Sequence, residues 1–273
     1  MMETNSRTLS KQEAKVVLGL EWEDRKVVDR DEILRLLEGN VARAGKVIHS
    51  LIKKRWLERI TPRRYLLIPA DRGTEGIPET NDLGLGKYLA DPYYFGYTTA
   101  AAFYRFTPQS RSTVWIVTPN NVSDRTIRGT SFRFVNLVSR KFFGYGPATV
   151  YDEQVNLSDP EKTVLDCVDK IRRCGGIAEV ARIILRAAPK LDWAKVTDYV
   201  ERFRSVALVQ RFGYLATRVG AEIPAEARQR LRACLKRNSR SFLEPDGATD
   251  NASYDREWQV LVNVPEREII SDL

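Results

Sequence analysis

The sequence predicts an α+β fold in two domains, and three observations lead to this prediction. In residues 29–69, a basic stretch, helical spacing of apolar residues gives way to two strand-like runs. Residues 70–82 are polar, contain two glycines and one proline, and show no periodicity, which is typical of a linker. The residues that follow show short strand-like runs and then a series of amphipathic helices. The predicted parts are residues 1–69, a linker over 70–82, an α+β domain over 83–243 and an acidic C-terminal tail over 244–273.

The first domain is predicted to contain two short helices followed by a hairpin. Residues 31–37 place apolar side chains at helical spacing after a capping aspartate, and Gly39-Asn40 ends this helix. A second helix follows. Its apolar side is formed by Ala44, Ile48, Leu51 and Ile52. Residues 56–60 and 65–68 are β-prone, and the turn between them contains Pro62.

Two further elements are predicted before this stretch. A helix capped by Ser10 or Thr8 and reaching about residue 20 would cover the small core with Ala14, Val17 and Leu18. A short strand at residues 27–28 would lie beside the hairpin. Together these elements have the order of a winged helix-turn-helix, whose second helix is the recognition helix and whose hairpin is the wing.

The predicted recognition helix and wing carry a concentrated positive charge. Residues 41–68 contain eight Lys or Arg and one acidic residue, Glu58. The polar and basic side chains of the helix share an arc of about 140° opposite its apolar side. A basic helical face is often only a solvated surface, but this one coincides with the recognition-helix position and is repeated at the wing, which favours double-stranded DNA as the partner. The predicted DNA contacts are Arg43, Lys46, His49, Ser50, Lys53, Lys54, Arg63, Arg64 and Tyr65.

The second domain is predicted to combine a small antiparallel sheet with a helical bundle. Two short helices are expected at residues 83–90 and 100–106, and strands at 113–117, 132–138, 149–151 and 155–157. Ser158 and Glu161 fit a capping box that opens a helix to about residue 173. More helices are expected at 177–187, 192–204, 205–219 and 224–236. In the tail, the apolar run 258–262 is either a late strand or a docked segment.

No catalytic constellation can be assembled from the sequence, so the protein is predicted not to be an enzyme and to need no cofactor or metal. The one histidine, His49, lies on the predicted DNA-facing helix. Asp166 and Asp169 have basic neighbours at helical spacing, Lys162 and Arg173, which favours a solvated ion-pair face over a metal site. Two alternatives remain: a metal-dependent nuclease that uses Asp166, Asp169 and Glu161, and a stand-alone regulator that senses a small ligand in the bundle.

Several segments together resemble one known family. In the first domain these are the two-helix pair and the hairpin of residues 57–69, and in the second they are Tyr97-Thr98-Thr99-Ala100-Ala101, residues 114–118 and Phe142-Phe143-Gly144. The most specific segment is residues 157–166, LSDPEKTVLD, followed by Gly175-Gly176. Over residues 8–240 the chain resembles the AbiEi-type antitoxins of abortive-infection systems. The family often has Arg where Lys162 stands and an Arg-Gly wing tip where this chain has Pro62-Arg63-Arg64. The resemblance implies a repressor of its own operon, bound to promoter repeats, that counteracts a nucleotidyltransferase-like toxin.

The distribution of charge and hydropathy leads to two more predictions, on the division of roles between segments and on cellular location. The net charge of +8 is unevenly distributed, with about +5 in residues 1–72, +3 in 73–191, +6 in 192–243 and −6 in 244–273. Such asymmetry indicates separate roles for separate segments. No apolar run approaches the length that spans a bilayer, and the first residues have no hydrophobic signal core. A cytoplasmic location without a membrane partner is therefore predicted.

Overall fold

The computed structural model of the chain describes residues 7–72, 81–108, 113–150 and 153–270. Two compact units divide between Asn81 and Asp82. Most of the predicted linker, residues 73–80, lies outside the described residues, whereas Ala70–Arg72 form a short 3-10 helix. Within the described ranges, no helix is both long enough and apolar enough to traverse a lipid bilayer.

In the part that the structure describes, the N-terminal unit contains three α-helices and a three-stranded antiparallel sheet. In chain order its elements are α1 (Lys11–Trp22), β1 (Val27–Asp29), α2 (Arg30–Leu36), α3 (Val41–Lys53), β2 (Leu57–Arg59) and β3 (Arg64–Leu67). The hairpin strand β3 lies at the centre of the sheet, between β1 and β2. The elements come in the predicted order, including the short strand at Val27-Val28.

Side-chain caps explain where the helices of this unit begin. Ser10 and Glu13 form a capping box at α1, and Asp29 and Glu32 form another at α2. The Asn40 side chain accepts a hydrogen bond from the Arg43 backbone N–H at 2.9 Å and so caps α3. The capping role predicted for Ser10 is confirmed.

The buried face of α1 differs from the predicted one. Val16, Val17 and Leu20 are buried together with the Glu13 carboxylate, whereas Leu18 is 60% exposed. The apolar residues of α1 cover more than one face, so their spacing alone did not identify the face that meets α2 and α3. Leu18 is consequently on the solvent side.

The second unit contains two sheets and eight helices within the part of the chain that the structure describes. Its helices are α4 (Asp82–Gly86), α5 (Tyr97–Phe103), α6 (Pro160–Asp169), α7 (Ile177–Ala187), α8 (Trp193–Phe203), α9 (Val206–Arg218), α10 (Ala225–Ala233) and α11 (Glu266–Ile270). The strands of its larger sheet are β4 (Tyr94–Phe95), β5 (Thr113–Thr118), β6 (Arg125–Ile127), β7 (Thr130–Asn136), β8 (Tyr145–Val150) and β9 (Glu153–Ser158). The smaller sheet is formed by β10 (Ser241–Phe242), β11 (Ser253–Asp255) and β12 (Val260–Val262).

The larger sheet is mixed, which corrects the predicted antiparallel arrangement. Its six strands have the order β6-β7-β5-β4-β9-β8, and the pairs β5/β7 and β4/β9 are parallel. The two-residue strand β4 lies near the middle of the sheet and was not predicted, because two residues are too few to show alternation. The strand β6, at one edge, was also missed. The alternation of apolar and polar residues along a strand shows which face is buried, but it carries no information on the order or direction of the strands.

Helix α6 begins one residue later than predicted and has a different cap. The Asp159 side chain accepts from the Lys162 backbone N–H at 2.8 Å, and Pro160 occupies the first helical turn. Ser158 lies in β9, where its hydroxyl is 2.7 Å from the Thr163 hydroxyl. The capping box predicted for Ser158 and Glu161 is therefore wrong, since Asp159 and a proline at the first helical position form the favoured start. The helix ends at Asp169, and a 3-10 helix covers Ile171–Cys174.

Residues 244–270 are folded into the second unit, so the prediction of a separate acidic tail needs correction. The strands β11 and β12 pair with each other, and β12 pairs with β10. Trp258 is 1% exposed and donates a hydrogen bond from its indole N–H to the Thr217 hydroxyl of α9 at 3.0 Å. The sequence did not predict this packing, because the segment is acidic and its buried apolar residues are few and widely spaced.

Candidate nucleic-acid interface

Helix α3 has one buried and one exposed face. Ala44, Val47, Ile48 and Leu51 are buried against the core of the N-terminal unit. The opposite face is exposed along the whole helix. Its exposed polar residues are Arg43, Lys46, His49 and Lys53. Since these four are separated by three or four residues, they lie on successive turns and form one continuous polar strip that contains three basic residues, Arg43, Lys46 and Lys53.

Lys54 and Ser50, both predicted DNA contacts, are half-buried and contact Glu13 within the unit. The Lys54 ammonium pairs with the Glu13 carboxylate at 2.7 Å, and this lysine is half-buried. Burial by itself raises the pKa of Glu13, but hydrogen bonds from Lys54, Ser50 and Ser10 outweigh it and lower that pKa to about 2. Lys54 lies at the margin of the buried face, next to Val47 on the helical wheel, which explains why it turns inward.

The hairpin of β2 and β3 presents further arginines beside α3. The Thr61 hydroxyl accepts from the Arg64 backbone N–H at 3.0 Å and fixes the turn that carries Arg63. Arg63 is exposed and pairs with the exposed carboxylate of Asp31 at 2.8 Å. Such a pair in full contact with water is weak and can be exchanged for a phosphate.

One hairpin position departs from the prediction, and two others need comment. Tyr65 is 3% exposed and belongs to the core, so it is removed from the set of predicted contacts. In a three-stranded sheet that packs on helices, alternate residues point inward, and Tyr65 occupies an inward position of β3. Arg64 is half-buried and takes part in contacts within the chain. Arg59, which the prediction left out, is exposed on β2, and its guanidinium lies 5.7 Å from the centre of the Tyr65 ring.

The second unit contains a buried ionic network that the sequence did not reveal. The Lys162 ammonium and the Asp166 carboxylate form an ion pair, and their side chains are 0% and 1% exposed. The Tyr94 hydroxyl donates to Asp166 at 2.9 Å and accepts from Lys162 at 3.0 Å. The rings of Phe143 and Phe203 lie 5.2 and 4.8 Å from the ammonium. The predicted pairing is thus present, but its predicted solvated setting is wrong.

Burial shifts the pKa values of this network. Burial lowers the pKa of Lys162, against the opposing effect of Asp166, and burial raises the pKa of Asp166, against the effect of Lys162. The pKa of Tyr94 is well above its ordinary value because of burial and the neighbouring Asp166. The network therefore connects β4 to α6 inside the core and is closed to solvent.

The other carboxylates of the nuclease alternative are also paired with lysines. Asp169 pairs with Lys141 at 2.8 Å, and not with Arg173 as predicted. Arg173 instead lies 5.5 Å from the Trp115 ring. Glu161 is buried, accepts from the Asp192 backbone N–H at 2.9 Å and pairs with Lys195 at 3.0 Å. Within the described residues, no group of three or more His, Cys, Asp or Glu side chains is arranged to hold a metal ion.

A polar cavity of about 630 Å³ lies between the end of α9 and the smaller sheet. Its charged lining consists of Arg218, Asp250, Asp255 and Glu266. Arg218 and Glu266 form an ion pair with each other. The Asp255 carboxylate accepts from the Trp258 backbone N–H at 2.7 Å. The one basic side chain of the lining, Arg218, is thus already paired with Glu266, and the remaining groups do not define a ligand class.

The fold and this surface define an α+β protein in two units with a cationic helix and hairpin in the first. No family model matches the sequence, and no curated protein matches it. Among solved structures, the chain is similar to the RV2827C protein from Mycobacterium tuberculosis, with a TM-score of 0.68 over 94% of this chain and 93% of that one. The two sequences are 16% identical, so the similarity concerns the fold alone.

Proposed function

We propose that the N-terminal unit is a winged helix-turn-helix that binds double-stranded DNA, and that the protein represses its own operon. In this assignment α3 is the recognition helix and the β2–β3 hairpin is the wing. The exposed strip of Arg43, Lys46, His49 and Lys53 carries the proposal. It lies opposite the buried face of a well-capped helix, so it can enter a major groove without loss of core contacts.

The charges of the two elements suit two kinds of contact. Arg43 and Lys46 lie in the first two turns of α3, where side chains of a recognition helix reach base edges. Arg63 lies at the tip of the wing, where phosphates are the nearest acceptors. Lys53, in the last turn of α3, is placed for the DNA backbone as well. We assign sequence readout to the first pair and positioning to Arg63.

The test is fluorescence anisotropy with a duplex that carries the promoter and a second, unrelated duplex. Arg43→Ala and Lys46→Ala should each weaken promoter binding by about 1–3 kcal/mol if the contact is bidentate, and should narrow the preference over the unrelated duplex. Arg63→Ala should weaken binding to both duplexes alike and reduce the salt slope by about one unit.

The matched control removes the same charge from the other unit. Arg140→Ala with Arg186→Ala replaces two exposed arginines of the second unit and should leave the promoter preference unchanged. If this control loses as much promoter affinity as the variant that lacks both Arg43 and Lys46, net charge alone governs binding. The assignment of α3 as the recognition helix would then be refuted.

We further propose that the second unit counteracts a nucleotidyltransferase-like toxin. The support is the resemblance of residues 157–166 and of the segments around residues 97 and 142 to AbiEi-type antitoxins. On this proposal the two activities separate. The full chain with Arg43→Ala and Lys46→Ala should lose repression of a promoter reporter and still rescue growth from the toxin. Loss of rescue, at equal protein level, would contradict the separation.

A further inference from the structure

Two residues in the first half of α3 are not explained by the packing of the helix. Val41, its first residue, is 59% exposed and does not belong to the hydrophobic core described for its unit. Gly45 lies inside the helix, and a Cβ added there would have no described atom within 4 Å. An exposed valine gains nothing from burial, and a glycine inside a helix is less stable than an alanine. The fold of the unit therefore requires neither residue.

Both residues lie beside the exposed strip of α3. Val41, Gly45 and His49 are four residues apart, so they form one row along the helix, and the row shares His49 with the strip. Lys46 follows about 60° further around the helix, and Arg43 about 60° beyond Lys46. The first two turns of α3 thus present an apolar side chain and a position without a side chain, next to two cations.

We propose that Val41 recognises thymine in the promoter through the 5-methyl group of the base, and that Gly45 lets the base pair approach the helix closely. This inference rests on the proposed function of α3 as a recognition helix and specifies which base it reads. In the major groove, the thymine methyl is the apolar group that suits a valine, whereas the amino, carbonyl and ring-nitrogen groups require a polar partner. Glycine is the residue that allows a ligand to come close to the backbone.

The neighbouring charges favour DNA over an apolar protein surface as the partner of Val41. Any partner that covers this valine also meets the exposed Arg43 and Lys46. An apolar surface would leave these two cations without acceptors. A major groove provides acceptors for both, because phosphates line its edges and guanine presents two acceptors on its floor.

The first test measures fluorescence anisotropy of the full chain with two forms of the promoter duplex. In the second form every thymidine is replaced by deoxyuridine, which removes the methyl groups and keeps base pairing and charge. The wild-type chain should bind the deoxyuridine duplex about fourfold more weakly for each methyl group that Val41 covers, the factor expected for one buried methyl group. Val41→Ala should bind the thymidine duplex more weakly and lose most of this discrimination. Arg63→Ala is the control, since it should bind both forms more weakly and keep the wild-type ratio.

The second test fills the space at Gly45. Gly45→Ala should weaken promoter binding about tenfold, because the new methyl group separates the helix from the base pair, although alanine favours the helix. Gly146→Ala is the matched control. Gly146 lies in β8 of the second unit and also has no described atom within 4 Å of an added Cβ, so promoter affinity should stay unchanged. Thermal unfolding of both variants shows whether each is folded.

The possible failures can be told apart. A wild-type chain that prefers the promoter but binds its thymidine and deoxyuridine forms equally would overturn the inference and leave the proposed function intact. The same conclusion would follow if Val41→Ala kept the full discrimination, or if Gly45→Ala bound as tightly as the wild type. A wild-type chain without any promoter preference would refute the proposed function itself, and the inference with it.

Discussion

Replacement of Asp166 by asparagine is the strongest test of the buried network in the second unit. The substitution preserves the size of the side chain and removes the negative charge from the environment of Lys162, which is 0% exposed. The ammonium keeps the Tyr94 hydroxyl as an acceptor at 3.0 Å and the neighbouring aromatic rings. Neither partner carries a full charge that could replace the carboxylate.

The expected loss follows from the asymmetry of buried ion pairs. Removal of one partner of a buried pair costs about 3–5 kcal/mol, since an uncompensated charge remains in the core. Removal of both partners by Lys162→Met with Asp166→Leu leaves no such charge and should cost less than the single substitution. Asp198→Asn is the control. Its pair with Arg230 at 2.8 Å is exposed, and its loss should cost less than about 1 kcal/mol.

The measurement is urea unfolding of the full chain followed by hydrogen exchange, which resolves the two units separately. In the Asp166→Asn variant, the backbone amides of α6 and β4 should exchange faster than in the wild type, while the exchange rates of the α3 amides stay unchanged. An effect of Asp166→Asn no larger than that of Asp198→Asn would refute the reasoning, as would a double variant less stable than the single one.

The pH dependence of the same variant gives an independent check. Burial already lowers the pKa of Lys162 in the folded protein, and loss of Asp166 removes the group that opposes this shift. The folded variant then binds fewer protons than the unfolded one, so its stability rises with pH up to the ordinary lysine pKa. The deficit relative to the wild type should therefore shrink as the pH is raised.

Three further predictions concern Glu13 and two glycines. The pKa of Glu13 is lowered to about 2, so the stability that it gives is present above its unfolded value of 4.5 and is lost as the pH falls through that interval. The Glu13→Gln variant should therefore lose up to about 3 kcal/mol less stability than the wild type when the pH is lowered. The measurement is the free energy of unfolding of the N-terminal unit at neutral and at acidic pH. If the two proteins depend on pH in the same way, the assigned ion pair is contradicted. A Cβ at Gly213 would overlap the Trp258 ring, so Gly213→Ala should destabilise the second unit by about 1–3 kcal/mol despite the better helix propensity of alanine. Gly45→Ala, at a helical site with nothing within 4 Å of the added Cβ, should instead stabilise the first unit by about 0.5–1 kcal/mol in thermal unfolding, and equal effects of the two glycine variants would count against the packing argument.

Local signals in the sequence were sufficient for most elements of the N-terminal unit. The polar caps Ser10 and Asp29, the break at Gly39 and the 3.6-residue spacing of α3 act within a few residues, so their effect on the backbone can be predicted without tertiary structure. The same holds for the exposed strip on α3. The direction of Lys54 depended on Glu13, which is 41 residues away in the chain, and spacing could not reveal that contact.

Long-range contacts account for the features that were mispredicted in the second unit. The strand β4 exists because Phe95 pairs with Ile116 on one side and with Leu157 on the other. Lys162 and Asp166 looked like a surface pair, since charged residues four positions apart usually are. Their burial depends on the Tyr94 hydroxyl and on aromatic rings from distant segments, which are arranged only by the complete sheet and bundle.

The docking of Trp258 against Gly213 has a consequence for the order of events during synthesis. A chain that leaves the ribosome from its N-terminus completes the first unit, which ends at Asn81, 177 residues before the indole of Trp258 emerges. Until then α9 lacks the ring that packs against Gly213, and β12, which follows Trp258 in the chain, has not yet been synthesised. The proposed DNA-binding unit can therefore be native on a nascent chain while the second unit is still unfinished. A chain truncated between residues 82 and 258 would therefore keep the complete first unit and lack the Trp258 anchor of the second.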